Sequence, residues 1–239
     1  QTLTNFEQEE EILFAEIVDR LEGVSYFAAT QQGQIKRFER KELSPWRTYR
    51  SKSTKYAKLK DQDDRIVAVA PVVLEDIMII TKNGYGLRFN IEEVPVVGAK
   101  AAGVKAINLK DGYQVAAAFK STTPSMYILT QRGSLKRMLQ DDIPVTSRAK
   151  RGLQVLRELK NKPHRVFKAG PVFTDQGDFD LFTSQEEVAE QDQILQITST
   201  TGQVTEVDLT QLSISERTSN GSFVNDTISD QEVFSATIK

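Results

Sequence analysis

The chain has 239 residues, with 31 lysines and arginines against 33 aspartates and glutamates, one histidine and no cysteine. This length is enough for one large domain or two small ones with a substantial hydrophobic core. The lack of cysteine excludes disulfides, thiolate metal sites and cysteine nucleophiles, and a single histidine argues against a histidine-based triad or a poly-histidine metal site.

Charge is distributed unevenly along the chain. Residues 1–22 carry a net charge of −6 and residues 173–239 a net charge of −11, whereas residues 23–172 carry +15. Two stretches, 31–60 and 130–168, each have a net charge of +8. Segregation on this scale predicts a polyanionic partner for the middle of the chain rather than a particular fold.

Four similar sequence motifs, called phrases below, follow one another along the sequence. Each has an apolar run, a threonine or serine, two polar residues and a glycine, followed by a second short run. They occupy residues 26–38, 77–89, 126–138 and, in weaker form, 194–207. Because glycine supplies the positive φ of a tight turn, each phrase predicts two antiparallel strands joined as a hairpin.

A second phrase, a short apolar strand after a charged turn, recurs at the other end of each unit. Its five copies are Ile12–Ile17, Ile66–Ala70, Val115–Phe119, Val166–Ala169 and Val233–Ile238. A period of roughly 50 residues, built from short segments rich in β-branched and aromatic residues, is typical of propeller blades with four strands.

We therefore predict a single all-β, propeller-like domain over residues 1–239, made of four-stranded blades. The blade-like units lie at approximately residues 24–71, 72–120, 121–170 and 171–239, and residues 1–23 hold the strand of a partial blade. Four units plus one extra strand indicate either a small closed ring or a piece of a larger one.

The loops between the two phrases are rich in lysine, arginine, serine and glycine. They cover residues 47–58, 98–105, 147–153 and 215–222. Small residues allow close approach of the backbone to a phosphate, and lysine and arginine neutralise it. Basic residues at equivalent positions of successive blades would form a curved positive stripe along one rim, which suits bent duplex DNA held through its backbone.

The candidate DNA-binding residues share a basic side chain in these loops or in the second strand of a hairpin. They are Lys36, Arg37, Arg40, Lys41, Arg47, Arg50, Lys52, Lys55, Arg88, Lys100, Lys105, Arg132, Lys136, Arg137, Arg148, Lys150 and Arg151. No phosphate-loop motif is present, and the residue types predict no catalytic, metal or cofactor site.

The order of hairpin, Lys-Arg strand, basic glycine loop and return strand resembles the C-terminal domain of the DNA-cleaving subunit of bacterial type IIA topoisomerases. Residues 38–56, 129–138 and 157–167 are most similar to the A subunit of topoisomerase IV. The resemblance covers nearly the whole chain, most clearly residues 12–172.

This resemblance implies a β-pinwheel, a propeller-like ring of typically five or six blades in which neighbouring blades exchange a strand. It also implies non-sequence-specific binding and bending of duplex DNA, which steers segments for supercoil relaxation and decatenation. The implied partners are DNA, the remainder of the A subunit of topoisomerase IV, and the ATPase subunit of that enzyme, in the bacterial cytoplasm at the nucleoid. By membership the chain would be part of an ATP-dependent enzyme, without catalytic residues, cofactor, membrane contact or small-molecule substrate of its own.

Two alternatives remain open from the sequence. The related A subunit of DNA gyrase wraps DNA chirally with a loop reading Gln-Arg-Arg-Gly-Gly-Lys-Gly, and the nearest segment here is Ser147–Gly152, which departs from it. This departure favours topoisomerase IV over gyrase. The other alternative is a propeller that docks an acidic protein partner on the basic rim.

Three further features carry predictions of their own. Thr205 and Glu206 replace the basic pair in the fourth unit, so we expect this blade to close the ring or touch another subunit rather than DNA. His164 follows a proline in a basic turn, where a turn or phosphate contact is expected rather than catalysis. Trp46 is expected to pack at a blade edge, because duplex DNA hides its base faces.

Overall fold

The structure is a computed structural model that describes residues 13–15, 24–43, 57–98, 100–173, 193–224 and 232–239. Within these ranges the chain forms four antiparallel sheets, one for each repeat. Across the same ranges, no helix is long and apolar enough to cross a lipid bilayer.

The first sheet shows the plan of a blade. Strands β1 (Ser25–Thr30) and β2 (Gln34–Glu39) form the hairpin, and β3 (Ile66–Val72) returns antiparallel to the far side of β1. The fourth strand, β6 (Val104–Lys105), belongs to the next repeat and pairs with the outer edge of β2. Neighbouring blades therefore exchange a short strand.

The other sheets follow the same plan along the chain. The second contains β4 (Asp76–Thr81), β5 (Tyr85–Asn90), β7 (Val115–Lys120) and β10 (Leu153–Gln154). The third contains β8 (Ser125–Thr130), β9 (Ser134–Leu139), β11 (Val166–Val172) and β14 (Ser222–Phe223). The fourth contains β12 (Ile194–Ser199), β13 (Val204–Asp208) and β15 (Val233–Ile238). Of the described residues, none supplies a fourth strand to the last sheet.

These sheets confirm the all-β fold with repeated four-stranded blades and strand exchange. Four of the five predicted return strands are present as β3, β7, β11 and β15. The fifth, Ile12–Ile17, lies mostly outside the described residues, and residues 13–15 are not paired in a sheet.

The hairpin turns explain why each phrase combines a hydroxyl residue with glycine. In the first repeat Gly33 has a φ of +77°, a region that L side chains rarely adopt. The Thr30 hydroxyl accepts a hydrogen bond from the Gln34 amide at 3.2 Å, which closes the turn. Ser199 makes the same bond to the Gln203 amide in the fourth repeat.

The hydrophobic core lies between successive blades. Alternate residues of β4 face opposite neighbours: Ile77 and Ile79 pack toward the first blade, whereas Met78 and Ile80 pack toward the third. Both faces of this hairpin strand are buried, so its sequence is a continuous apolar run rather than an alternating pattern. Each such side chain contributes about 1.5–3 kcal/mol on burial.

The outer face of the fourth sheet differs in polarity from the corresponding face of the second sheet. At the positions of Met78 and Ile80, β12 has Gln196 and Thr198. The Gln196 amide donates to the Glu206 carboxylate at 3.0 Å, within the sheet. At these two positions the fourth blade is polar where the second blade is apolar.

Candidate nucleic-acid interface

The loops of the second, third and fourth repeats cross from their own repeat onto the outer edge of the preceding blade. Each loop first makes a parallel bridge to the arginine of the preceding hairpin, as between Val145 and Arg88, and then forms the exchanged strand. The same bridge joins Val96 to Arg37. The loops thus run along the outer circumference of the blades, where a basic rim was predicted.

The glycines of these loops serve the exchange rather than a ligand. A Cβ atom added to Gly103, Gly152 or Gly221 would overlap the backbone carbonyl of the preceding blade's second strand. The sequence suggested that these glycines let the backbone approach a phosphate. That interpretation is wrong for these three positions, because the neighbouring strand occupies the space that each of them leaves.

Lys136 is one of the most deeply buried residues, with 2% of its surface exposed. Its Nζ donates to the carbonyls of Arg217 and Ser219 in the next repeat, at 2.6 and 2.9 Å, and of Val155 at 2.5 Å. Burial, together with the nearby Arg217 charge, lowers the pKa of Lys136 to about 7. The ammonium group thus ties the fourth repeat's loop to the third blade.

Lys36 occupies the same position in the first repeat and behaves in the same way. Its Nζ donates to the carbonyls of Gly98 and Ala101 in the second repeat's loop, at 3.1 and 3.3 Å. Burial lowers its pKa as well. The prediction that Lys36 and Lys136 contact DNA is therefore wrong, because both ammonium groups are enclosed by main-chain carbonyls.

The second-strand arginines face the junction with the next blade. Arg88 pairs with Asp76 at 3.1 Å and with Asp141 of the third repeat at 2.7 Å. Arg137 donates to the Ser125 hydroxyl at 2.9 Å and to the Thr210 carbonyl of the fourth repeat at 2.6 Å.

Arg37 occupies the equivalent position in the first repeat, and its Nε is buried with no hydrogen-bond partner. The three arginines, at positions 37, 88 and 137, therefore lie between blades rather than on an open rim. The prediction that these three arginines lie on an open basic rim is therefore wrong.

Four of the predicted cations are exposed on the outer circumference. They are Lys100, Lys105, Lys150 and Arg151. Arg148, in the same loop as Lys150, is half-buried and bound internally, because its guanidinium donates to the carbonyls of Glu93 and Lys105 at 3.0 and 2.9 Å.

The remaining predicted residues are placed as follows. Arg40 is half-buried, and Lys41 is exposed and paired with Glu39 at 2.5 Å. Arg132 donates to the Lys162 carbonyl at 2.9 Å and lies over the Phe223 ring. Five residues lie outside the described ranges: Trp46, Arg47, Arg50, Lys52 and Lys55.

The structure adds exposed cations that the sequence prediction omitted. They lie in the loops that lead into the return strands β3, β7 and β11: Lys58, Lys60, Lys110, Arg157, Lys160 and Lys162. These loops run beside the hairpin turns, since the amides of Gln31 and Gln131 donate to the carbonyls of Arg65 and Arg165. For Arg157, Lys160 and Lys162 the signal was the net charge of residues 130–168, and for Lys58 and Lys60 it was the net charge of residues 31–60. The motif-based choice of residues did not extend to them.

The opposite edge is acidic in the second and third blades, whereas in the first blade the 3-10 helix Arg40–Leu43, which follows β2, carries Arg40 and Lys41 beside Glu42. Short 3-10 helices follow β5 and β9, at Ile91–Glu93 and Gln140–Asp142. Their carboxylates at Glu92, Glu93 and Asp141 are exposed. In the second and third blades a polyanion is therefore favoured at the hairpin-turn edge and disfavoured at the other.

The fourth repeat presents no comparable surface in its described part. Arg217 donates to the Gln154 carbonyl of the third repeat, and Lys239 pairs with Glu206. Both cations are bound within the protein. That this blade avoids DNA stays a prediction, and the arrangement of its charges is in keeping with it.

His164 is a buried structural residue. Its Nδ1 lies 3.2 Å from the Thr130 hydroxyl and its Nε2 lies 3.2 Å from the Arg132 guanidinium. Burial and the Arg132 charge lower its pKa. Of the two contacts expected for His164, the phosphate contact is wrong, since only 6% of the residue is exposed, whereas a contact with the turn residue Thr130 is present.

The chain matches a family model described as the DNA gyrase C-terminal domain, a β-propeller. The match covers residues 25–72, 75–122 and 125–172, which are the first three repeats. It ends before the fourth repeat, whose hairpin and loop lack the basic pattern of the others.

Curated relatives are subunits of a topoisomerase. The chain is 61% identical over 238 residues to the A subunit of DNA topoisomerase 4 from Streptococcus pyogenes serotype M3 and 61% identical over 237 residues to that from Streptococcus pneumoniae serotype 4. Each match covers 99% of this chain and 29% of the relative. The chain thus spans less than a third of the length of these relatives.

Solved structures agree with the fold. A crystal structure of the C-terminal domain of DNA topoisomerase IV matches with a TM-score of 0.83 and 31% identity, covering 99% of this chain and 68% of that one. A DNA gyrase A C-terminal domain matches with a TM-score of 0.73 at 20% identity, covering 99% and 73%, which shows the fold alone.

Proposed function

Because the chain belongs to the DNA gyrase C-terminal domain family of β-propellers, we propose that it binds duplex DNA through the phosphate backbone, without reading sequence. It would do so as the accessory domain of the topoisomerase IV A subunit, in line with its identity to those subunits. In this role the domain bends and holds a segment on which the catalytic core then acts.

The observation that carries this proposal is the exposed basic surface of the second and third repeats. Lys100, Lys105, Lys150 and Arg151 lie on the outer circumference, and the cations of residues 157–162 lie at the adjoining hairpin-turn edge. Backbone phosphates are bound by such cations without base contacts. Because successive blades repeat the arrangement, the surface is curved, which favours a bent duplex.

The rest of the assembly follows from the relatives and is part of the proposal. The partners are the ATPase subunit of topoisomerase IV together with the remainder of the A subunit, which holds the catalytic core. The place of action is the bacterial nucleoid. The missing Gln-Arg-Arg-Gly-Gly-Lys-Gly loop favours bending over chiral wrapping. The domain contributes positioning, and the supercoil relaxation and decatenation chemistry belongs to the catalytic core.

The test is binding of two unrelated duplexes of about 40 base pairs, followed by fluorescence anisotropy across a salt series. We expect equal affinity for both duplexes and a log K that falls linearly with log salt concentration. Substitution of Arg157, Lys160 and Lys162 by alanine should lower the affinity, whereas the control Lys239→Ala, in the fourth repeat, should not. No binding at low salt would overturn the proposal.

A further inference from the structure

Arg151 and Tyr85 meet across the junction between the second and third blades. Tyr85 is the first residue of β5, and Arg151 lies just before β10, the exchanged strand that pairs with β5. The Arg151 Cζ is 4.7 Å from the centroid of the Tyr85 ring, and an Nη donates to the Tyr85 hydroxyl at 2.8 Å. A cation over an aromatic face, with a hydrogen bond in addition, restrains a guanidinium more than either contact alone.

The backbone on both sides of Arg151 is fixed. Ala149 has a φ of +63° and donates its amide to the Ala106 carbonyl at 2.6 Å. The Lys150 carbonyl accepts from the Asn108 amide at 2.8 Å, and Gly152 lies against the carbonyl of Gly86. The loop therefore cannot shift relative to β5 without breaking the exchange.

The ring of Tyr85 is supported in turn by Tyr113, with a centroid separation of 6.3 Å. Within the described part of the chain, the Tyr85 hydroxyl is the hydrogen-bond partner of the Arg151 guanidinium, and Arg151 is exposed. The other N–H groups of this guanidinium remain available to an external acceptor. Guanidinium N–H groups match the oxygens of a phosphate in pairs.

We propose that Tyr85 is a positioning residue for DNA: it holds the Arg151 guanidinium in place on the outer circumference, ready to bind a backbone phosphate. This inference rests on the proposed DNA-binding function. An unrestrained arginine loses rotamer freedom when it binds a phosphate, whereas a restrained arginine has already lost that freedom in the free protein. The restraint therefore increases the affinity for DNA without adding a contact to it. Tyr85 therefore acts through Arg151.

A double-mutant cycle on duplex binding tests this relation, with the whole chain and an anisotropy readout at one low salt concentration. Tyr85→Leu should weaken binding about three- to tenfold, because one ordered side chain becomes free. Arg151→Ala should weaken it at least as much and, in a salt series, lower the salt slope by about one. In the Arg151→Ala background, Tyr85→Leu should have no further effect on affinity.

Two conservative variants guard against a merely structural effect of the leucine substitution. Tyr85→Phe keeps the ring and removes the hydroxyl, so it should show an intermediate loss in affinity. Tyr113→Phe is the matched control and should bind like the parent, since the Arg151 guanidinium bonds to the Tyr85 hydroxyl and Tyr113 contributes its ring. Thermal unfolding of each variant shows that it is folded.

The outcomes separate this inference from the proposed function. If the parent chain does not bind duplex DNA, both are overturned. If the parent binds and Arg151→Ala or Tyr85→Leu leaves affinity unchanged, only the inference is overturned. Additive losses in the double variant would also overturn it, because Tyr85 would then contact the DNA itself.

Discussion

The ammonium group of Lys136 is enclosed by main-chain carbonyls of two successive repeats. Lys36 repeats the arrangement two blades earlier, whereas the second repeat has Leu87 at this position. At that junction Ala149 and Lys150 bond directly to the backbone of Ala106 and Asn108 instead. Lysine is therefore one of two solutions for holding an exchange loop against a blade.

We expect Lys136→Met to lower the free energy of unfolding by about 1–3 kcal/mol, because it leaves buried carbonyls without a donor. Urea denaturation measures this. The matched control is Leu87→Met, where the volume is kept and no polar partner is lost, so the cost should stay below about 1.5 kcal/mol. Equal effects of the two substitutions would contradict the stabilising role of the hydrogen bonds from the Lys136 ammonium to these carbonyls.

His164 gives the protein a defined response to acid. Burial and Arg132 lower its pKa from the ordinary value of 6.5, so the unfolded chain takes up a proton that the folded protein does not. Stability is therefore complete above the unfolded pKa and is lost as the pH falls through it. Since this is the one histidine of the chain, a comparison with His164→Gln isolates the effect.

The measurement is the free energy of unfolding of both proteins between about pH 7.5 and pH 5.5. The parent should lose stability relative to His164→Gln toward the lower end of this range. A difference that is constant with pH would contradict the buried neutral state of the imidazole.

Charge alone placed Lys136 and Arg137 at the DNA interface, and the geometry of their strand explains why this failed. Lys136 and Arg137 are adjacent on a strand, so they point to opposite faces of the sheet. In a sheet with one exposed face, one of the two would be exposed to solvent. Here both faces are covered by neighbouring blades, and sequence alternation cannot show this, because the covering surfaces come from distant repeats.

The exchanged strands explain why the loops require glycine at particular positions. Gly152 has a φ of +82° and lies against the Gly86 carbonyl, whereas Gly112 has a φ of +77° with open space around it. The two positions share the same backbone conformation and differ in crowding. They therefore separate the effect of close approach from that of the positive φ.

We predict that Gly152→Ala destabilises the protein clearly more than Gly112→Ala. The second variant should cost about 1–2 kcal/mol, the usual penalty for a left-handed L residue. The first adds the overlap with Gly86, so we expect a loss greater than about 3 kcal/mol. Denaturation midpoints compare the two directly, and equal losses would mean that the loop is not held against β5.

The hairpins and return strands could be predicted from sequence because their signals are local. A hydroxyl residue, two polar residues and glycine define each turn, and apolar runs define the strands. The exchanged strands could not be located from sequence. They are two residues long, too short for any periodicity, and their partner lies in the preceding repeat, as with Leu153 and Gly86.

The second and fourth blades present different residues at corresponding positions. The outer face of the fourth blade carries Gln196, Thr198 and Glu206, where the second blade carries Met78, Ile80 and Arg88. These three positions are therefore more polar in the fourth blade than in the second, although Val204 and Phe234 of the fourth blade are exposed.

Introducing the apolar residues of the second blade into the fourth tests this difference. We expect the variant Gln196→Met/Thr198→Ile to self-associate in a concentration-dependent manner, because it presents an exposed apolar face of the kind that is buried between blades. Sedimentation velocity of the parent and the variant gives the result. A variant that sediments like the parent at every concentration would contradict the role of these two polar residues.

The basic middle of the chain was visible in its composition, and the exposed cations of the loops lie where the repeats predicted a rim. Composition could not show that some of these cations are exposed whereas others bind backbone carbonyls within the protein. Lys150 is exposed, whereas Lys136 and Arg148 are bound to backbone carbonyls. That division depends on which strand each loop crosses, which is a property of the assembled blades.

We propose that the exposed loop cations bind duplex DNA, whereas the buried ones hold blades together. The most direct test is the salt dependence of duplex affinity for the parent, Lys150→Ala/Arg151→Ala and Lys136→Met, each checked for folding. We predict that the loop variant lowers the slope of log K against log salt by about two and that Lys136→Met leaves it unchanged. The reverse pattern, with the slope lowered by Lys136→Met and kept by the loop variant, would contradict the account.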